Sequence, residues 1–147
     1  MTEYKIIDAT NAILGRFSSI IAKRLLEGEK IMVINAEKAV ISGKRNQVLA
    51  QYKDRTNLRT ATAPWKGPFH YKRPDRIIKR TVRGMLPFKT ARGREAYKRL
   101  RVYIGLPEDV KLSEVETIKN VSADKLKNKY ITIKELSKEL GWVYEGD

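Results

Sequence analysis

Two short apolar runs with one amphipathic stretch between them fix the class of fold open to this chain. Tyr4-Lys5-Ile6-Ile7-Asp8 and Ile31-Met32-Val33-Ile34-Asn35 are brief, apolar and closed by polar residues, as buried strands are. Between them Leu14, Phe17, Ile21 and Leu25 recur at helical spacing, with Arg16, Lys23 and Arg24 off that face. Thr10 or Asn11 stands where a helix cap is expected, and Gly28 supplies the stop. Strand, helix and strand in this order make a βαβ unit with a right-handed crossover. The expected class is therefore α/β.

The unit carries no nucleotide fingerprint. Its first turn offers one glycine, Gly15, where a dinucleotide site needs three. Gly43-Lys44 is followed by Arg45 rather than Ser or Thr, and no glycine stands five positions before Gly43, so the phosphate-loop pattern also fails.

Beyond Asn35, Ala39 to Gly43 reads as a third short strand and turn. Residues 44–57 place Val48, Leu49 and Tyr52 on one helical face, which predicts a helix lying on the sheet with a charged outer side. From Arg59 to Pro74 the chain contains Pro64, Gly67, Pro68 and Pro74 without periodicity. That spacing predicts a long loop, and long loops in compact domains are usually functional. A helix follows from about Asp75 to Gly84, with Pro87 forbidding continuation. In helical phase Arg76, Lys79, Arg80 and Arg83 fall within an arc of roughly 100°, opposite Ile78, Val82 and Met85. Asp75 opens the helix four residues before Lys79, but no acid is interleaved among the four bases, so the arc is expected to face a partner rather than to pair internally. A second basic helix is expected from about Thr90 to Arg101, with Ala96, Tyr97 and Leu100 on its narrow inner side. Val102-Tyr103-Ile104 then reads as a strand returning to the sheet. From Glu108 the chain turns acidic and lysine-rich. Thr132-Ile133-Lys134-Glu135 has the form of a capping box, and Ile133, Leu136 and Leu140 form a stripe that stops at Gly141. This predicts an appended helix, packed on the domain or on a neighbour. The expected division is 1–107, an α/β domain with its basic block at 44–101, and 108–147, a C-terminal extension.

Charge decides what such a chain can bind. The net charge is +14, and residues 44–101 hold 18 bases against 3 acids while the rest holds 13 against 14. A field so localised calls for a densely anionic partner. Nucleic acid fits better than a membrane surface, because the bases sit mid-chain among Gly, Pro and aromatic residues rather than on a terminal amphipathic helix. Charge and helical phase select Lys44, Lys66, Lys72, Arg76, Lys79, Arg80 and Arg94 as contacts. Trp65, Phe69, Tyr71 and Phe88 interleave with the bases and each could stack on an exposed nucleobase, although ordinary packing is the expected role of any one of them. Enzyme readings fail on inventory: there is no cysteine, the central acids are single, and the one histidine, His70, sits among aromatic and basic residues where stacking or hydrogen bonding suits it. No catalytic group, metal site, cofactor or small-molecule substrate is expected. The N-terminus lacks a signal-peptide pattern and no apolar run is long enough to span a bilayer, so a soluble protein of a reducing cytoplasm is expected. A free-standing regulator of DNA or messenger RNA would need a recognition helix or a dimer seam, and neither pattern is visible.

The order of elements and the wording of the centre resemble the large-subunit ribosomal protein L thirteen family. The matching pieces are Asp8-Ala9, Leu14-Gly15-Arg16, Ile41-Ser42-Gly43, Gly67-Pro68-Phe69-His70, Val82-Arg83-Gly84-Met85-Leu86-Pro87, Arg92-Gly93, and Leu100-Arg101-Val102-Tyr103 ending in Gly105-Leu106-Pro107. The resemblance spans roughly residues 3–107 and is closer to the archaeal and eukaryotic branch. It implies a three-layer α/β/α sandwich with a small, mainly parallel four-stranded sheet. It also implies binding to large-subunit ribosomal RNA beside neighbouring ribosomal proteins, and support of subunit assembly. On the family's motifs it places RNA contact at Arg16, His70, Arg73, Arg83, Lys89 and Arg92.

Overall fold

The computed structural model describes residues 3–144. The two apolar runs form β1 (Lys5–Asp8) and β2 (Ile31–Ile34), joined through α1 (Leu14–Leu26). Next come β3 (Val40–Ser42), α2 (Arg45–Asn57), α3 (Pro74–Gly84), α4 (Ala91–Lys98) and β4 (Leu100–Val102). The C-terminal part supplies β5 (Val115–Glu116), β6 (Tyr130–Thr132) and α5 (Ile133–Glu139). The main sheet has the order β4-β2-β1-β5 with every pairing parallel, and helices flank it. The protein is an α/β sandwich with a C-terminal helix.

Register explains the core. Ile7 lies beside Val33, and Val33 beside Val102, so one row of side chains points to one face of the sheet. Phe17, Ile21 and Leu25 of α1 are fully buried and share one cluster with Ile7, Val33, Ile78, Val82 and Leu100. Each such aliphatic side chain contributes about 1.5–3 kcal/mol by leaving water. α1 packs on α3 and α4. The apolar side of α3 (Ile77, Ile78 and Val82) is thereby turned inward, and its basic side is left outside. At the end of β1, the Asp8 carboxylate accepts hydrogen bonds from Thr10 N at 2.9 Å, Thr10 Oγ1 at 2.6 Å and Asn35 Nδ2 at 3.0 Å. Burial opposes ionisation there, but these donors, with Lys38 nearby, outweigh it and hold the carboxyl below its ordinary value of 3.8. Asn35 itself sits at φ 54°. Buried Glu37, in the turn after β2, accepts from Gly105 N at 2.9 Å and ties that turn to the loop after β4.

The structure departs from the sequence expectations at several points. α1 begins at Leu14 with Ile13 as an uncapped N-cap. Thr10 is bound to Asp8, and Asn11 Nδ2 reaches Asp124 Oδ1 at 3.0 Å, so neither caps the helix. β3 is not in the main sheet; it pairs antiparallel with β6, and α2 packs on β6. α4 stops at Lys98, because the Arg99 carbonyl joins the ladder by accepting from Ile31 N at 3.1 Å. The strand is therefore Leu100–Val102, ahead of the expected 102–104. Met85 is 42% exposed, and Ile77 takes the inner place assigned to it.

The residues after Pro107 contribute more than a helix. β5 extends the main sheet beside β1, and Val121, Ile131, Ile133, Leu136 and Leu140 belong to the same core cluster as α1. Thr132 caps α5 by accepting from Glu135 N at 3.3 Å, and Gly141 at φ 104° ends the last turn.

Candidate nucleic-acid interface

α3 is built to present charge. Pro74 opens it with the ring geometry a first helical turn favours, and Asp75 places a carboxylate at the positive end of the dipole. Asp75 Oδ1 accepts from Arg76 N at 2.9 Å and pairs with Arg73 Nε at 3.3 Å. Among the described residues no carboxylate pairs with Arg76, Lys79, Arg80 or Arg83. Three of these four rest on aromatic rings instead. Arg76 lies 5.6 Å from the Tyr71 ring centre, Lys79 lies 5.2 Å from Tyr97, and Arg83 lies 4.1 Å from Phe88. A ring steadies a cation without cancelling its charge, for about 0.5–1 kcal/mol at an exposed site. Phe88 and Tyr97 brace each other edge to face at 5.5 Å. Burial pushes the Tyr97 phenol up, offset in part by Arg83 and the other nearby arginines, so it stays a neutral platform.

The loop between α2 and α3 carries one short turn at Pro64–Lys66 and a cis bond at Gly67-Pro68. Trp65 is 70% exposed, Phe69 67% and Tyr71 41%, so ordinary packing is not their role; only Phe88 packs as expected. Gly67, at φ 99°, is buried in the loop's own turn, where its carbonyl accepts from Thr60 Oγ1 at 3.2 Å. Its freedom serves that turn rather than an outer surface.

The fold gathers some of the sequence-selected residues and separates others. Arg80, Arg83 and Lys89 border one cleft of about 480 Å³ together with Leu86, Pro87 and Thr90. His70 joins Arg80 in a second cleft beside Tyr52, Arg55 and Tyr71. Lys66, Lys72 and Arg73 are exposed on the loop, and Arg92 and Arg94 are exposed on α4. Arg16 stands exposed on the first turn of α1. Lys44 lies elsewhere, as the N-cap of α2, in a cleft shared with Lys127 and Lys129. Those two lysines, and Arg55, were not selected from the sequence. The signal for the lysines was the alternation Lys125-Leu126-Lys127-Asn128-Lys129, and the β3–β6 pairing carries it to Gly43, whose N–H donates to the Lys129 carbonyl at 2.8 Å.

The arrangement offers fixed cations, flat exposed rings and backbone turns, which is the equipment for phosphates and unstacked bases. Among the described residues no helix is long and apolar enough to cross a membrane. Residues 2–109 match the ribosomal protein L13 family. The chain is 49% identical over 142 residues to large ribosomal subunit protein uL13 of Archaeoglobus fulgidus, covering 95% of this chain and 89% of that one. It is 48% identical over 147 residues to the protein of the same name from Methanopyrus kandleri (98% and 91% covered), and 50% identical over 138 residues to that of Methanosarcina barkeri (92% and 96%). The L13 family is structural and non-enzymatic. On the family match and on identity near one half over nearly its whole length, this chain belongs to the ribosomal protein L13 family.

Proposed function

We propose that this protein is a structural constituent of the large ribosomal subunit. It binds large-subunit ribosomal RNA and supports assembly of the particle beside neighbouring ribosomal proteins, in the cytoplasm. The observation that carries the reading is the outer face of α3, where two exposed and two half-exposed bases have no carboxylate partner among the described residues while the same helix is anchored by Ile77, Ile78 and Val82. The RNA-facing set is Arg76, Lys79, Arg80 and Arg83 on α3, Lys66, His70, Lys72 and Arg73 on the loop before it, and Lys89, Arg92 and Arg94 after it. Arg16 and Lys44 contact RNA at separate points. A-form RNA hides its major groove from side chains, so these groups read shape, phosphates and 2′-hydroxyls.

Two measurements test the reading. The endogenous protein should co-sediment with large subunits through a high-salt gradient. Binding to isolated large-subunit rRNA fragments should fall steeply with salt: with six to ten phosphates neutralised, by roughly 10³–10⁵ between about 50 and 200 mM on duplex arithmetic. An affinity that is flat across that range overturns the electrostatic interface.

A further inference from the structure

We infer that the cleft between α2 and α3 holds one unstacked nucleobase of single-stranded RNA. The inference rests on the RNA-binding reading above and adds to it a site for a base rather than a phosphate. The cleft is small, about 90 Å³, and open to solvent, so a base lies against its rings rather than being enclosed. Its sides are aromatic: Tyr52 from α2, and His70 and Tyr71 from the loop. Buried Ile77 forms its apolar depth, and Arg80 stands exposed at its edge. Flat rings over an apolar depth, with a cation at the mouth, suit a base whose own phosphate stays outside.

The polar groups of the cleft are already oriented. Thr56 Oγ1 donates to the Lys53 carbonyl and Thr81 Oγ1 to the Ile77 carbonyl, each at 2.8 Å. With their protons committed, both hydroxyls offer acceptor lone pairs only. They therefore favour a base with an exocyclic amino group, and adenine combines that group with strong stacking. Arg55 lies 5.1 Å from the Tyr52 ring centre and Arg76 lies 5.6 Å from that of Tyr71, so the rings are held before any ligand arrives. Burial pushes the Tyr52 phenol up, which keeps it uncharged beside an RNA phosphate.

The probe is a uridine hexamer with adenosine at one central position, compared with the same hexamer carrying an abasic residue there. Both have the same backbone charge, so the phosphate contribution cancels. The adenosine hexamer should bind at least about fivefold more tightly, the value of one base stack at the low end. The two salt slopes should be equal, because the extra contact releases no counterion. Thr56→Trp, which places an indole across the cleft, should erase the difference and keep the slope. Tyr71→Ala, an exposed loop position, should reduce it and serves if the Trp variant does not fold. Equal binding of the two hexamers with a normal slope overturns the base site and leaves the electrostatic interface standing. Flat salt dependence for both removes the interface itself.

Discussion

Gly93 should be the least replaceable small residue in the structure. It lies in the first turn of α4, and a β-carbon placed there would overlap the Pro87 carbonyl outright and sit 2.9 Å from Phe88 N. Its backbone is ordinary helix, so Gly93→Ala acts through space alone. The obstructing atoms are backbone, so no side-chain rotation relieves the overlap. Restoring van der Waals separation moves the turn by about 1 Å or more. That turn is held by the Pro87 carbonyl, which accepts from Thr90 N at 3.0 Å and Thr90 Oγ1 at 2.8 Å. Thr90 in turn caps α4 by accepting from Gly93 N at 3.2 Å. Losing two hydrogen bonds at about 0.5–1.5 kcal/mol each, and a cap at about 1 kcal/mol, gives a cost of about 2–4 kcal/mol. In a domain of this size the thermal midpoint should fall by roughly 5–15 °C. Gly15→Ala is the matched control. Gly15 is also helical and a β-carbon there meets nothing within 4 Å. It should gain up to about 1 kcal/mol from reduced chain entropy. Thermal melts of the two variants decide the matter. If Gly93→Ala melts with the wild type, or if the two variants shift alike, the steric argument is wrong.

Other outcomes follow from named contacts. Replacing Arg76, Arg80 and Arg83 together by Gln should leave folding nearly unchanged and reduce the salt slope of rRNA-fragment binding by about one unit per lost phosphate contact; normal binding by a readily unfolded protein would mean the faces are inverted. Val82→Ala, at a fully buried position, should cost about 1–3 kcal/mol in a denaturant melt and leave the affinity of folded molecules unchanged. Glu37→Ala removes the acceptor of Gly105 N and should cost about 1–3 kcal/mol by the same melt. Asp8 is held below its ordinary pKa, so its ionised form stabilises the fold above pH 3.8, and that contribution is lost as pH falls through the depressed value. Asp8→Asn should therefore lower the midpoint at neutral pH and converge with the wild type in acid; a constant gap would contradict this.

The parts of the fold that were legible are those whose cause is local. The βαβ unit shows because two apolar runs flank a helical stripe, and α3 shows because its bases and aliphatic residues segregate by phase. The capping box at Thr132 fixed the start of α5 for the same reason. What stayed hidden depends on partners distant in sequence. Leu100 fits the inner phase of a helix as well as a strand, and only pairing with Ile31 decides between them. Val115–Glu116 is too short to show a period, yet it borders β1. β3 finds its partner about ninety residues later, so nothing near Val40 foretells an antiparallel neighbour. Met85 and Ile77 exchanged places because the helix ends at Gly84, leaving Met85 as its C-cap, while Ile77 joins the cluster that α1 shares. At the interface the bases were visible as composition. The clefts were not, because Tyr52 meets Tyr71 and Lys44 meets Lys129 only through packing.

The late position of β5, β6 and α5 also sets a timetable for synthesis. Residues 44–101 leave the translating ribosome before Val115–Glu116 and Ile131–Leu140, which border β1 and fill the core. A nascent chain therefore carries its full positive charge while the scaffold that orients it is unfinished. Until the last forty residues emerge, it is a polycation that binds RNA wherever phosphates are dense. Completion of the sheet turns that indiscriminate attraction into a shaped one. Chains stalled near Pro107 should accordingly bind unrelated RNA more tightly, and resist proteases less well, than the full 147-residue chain.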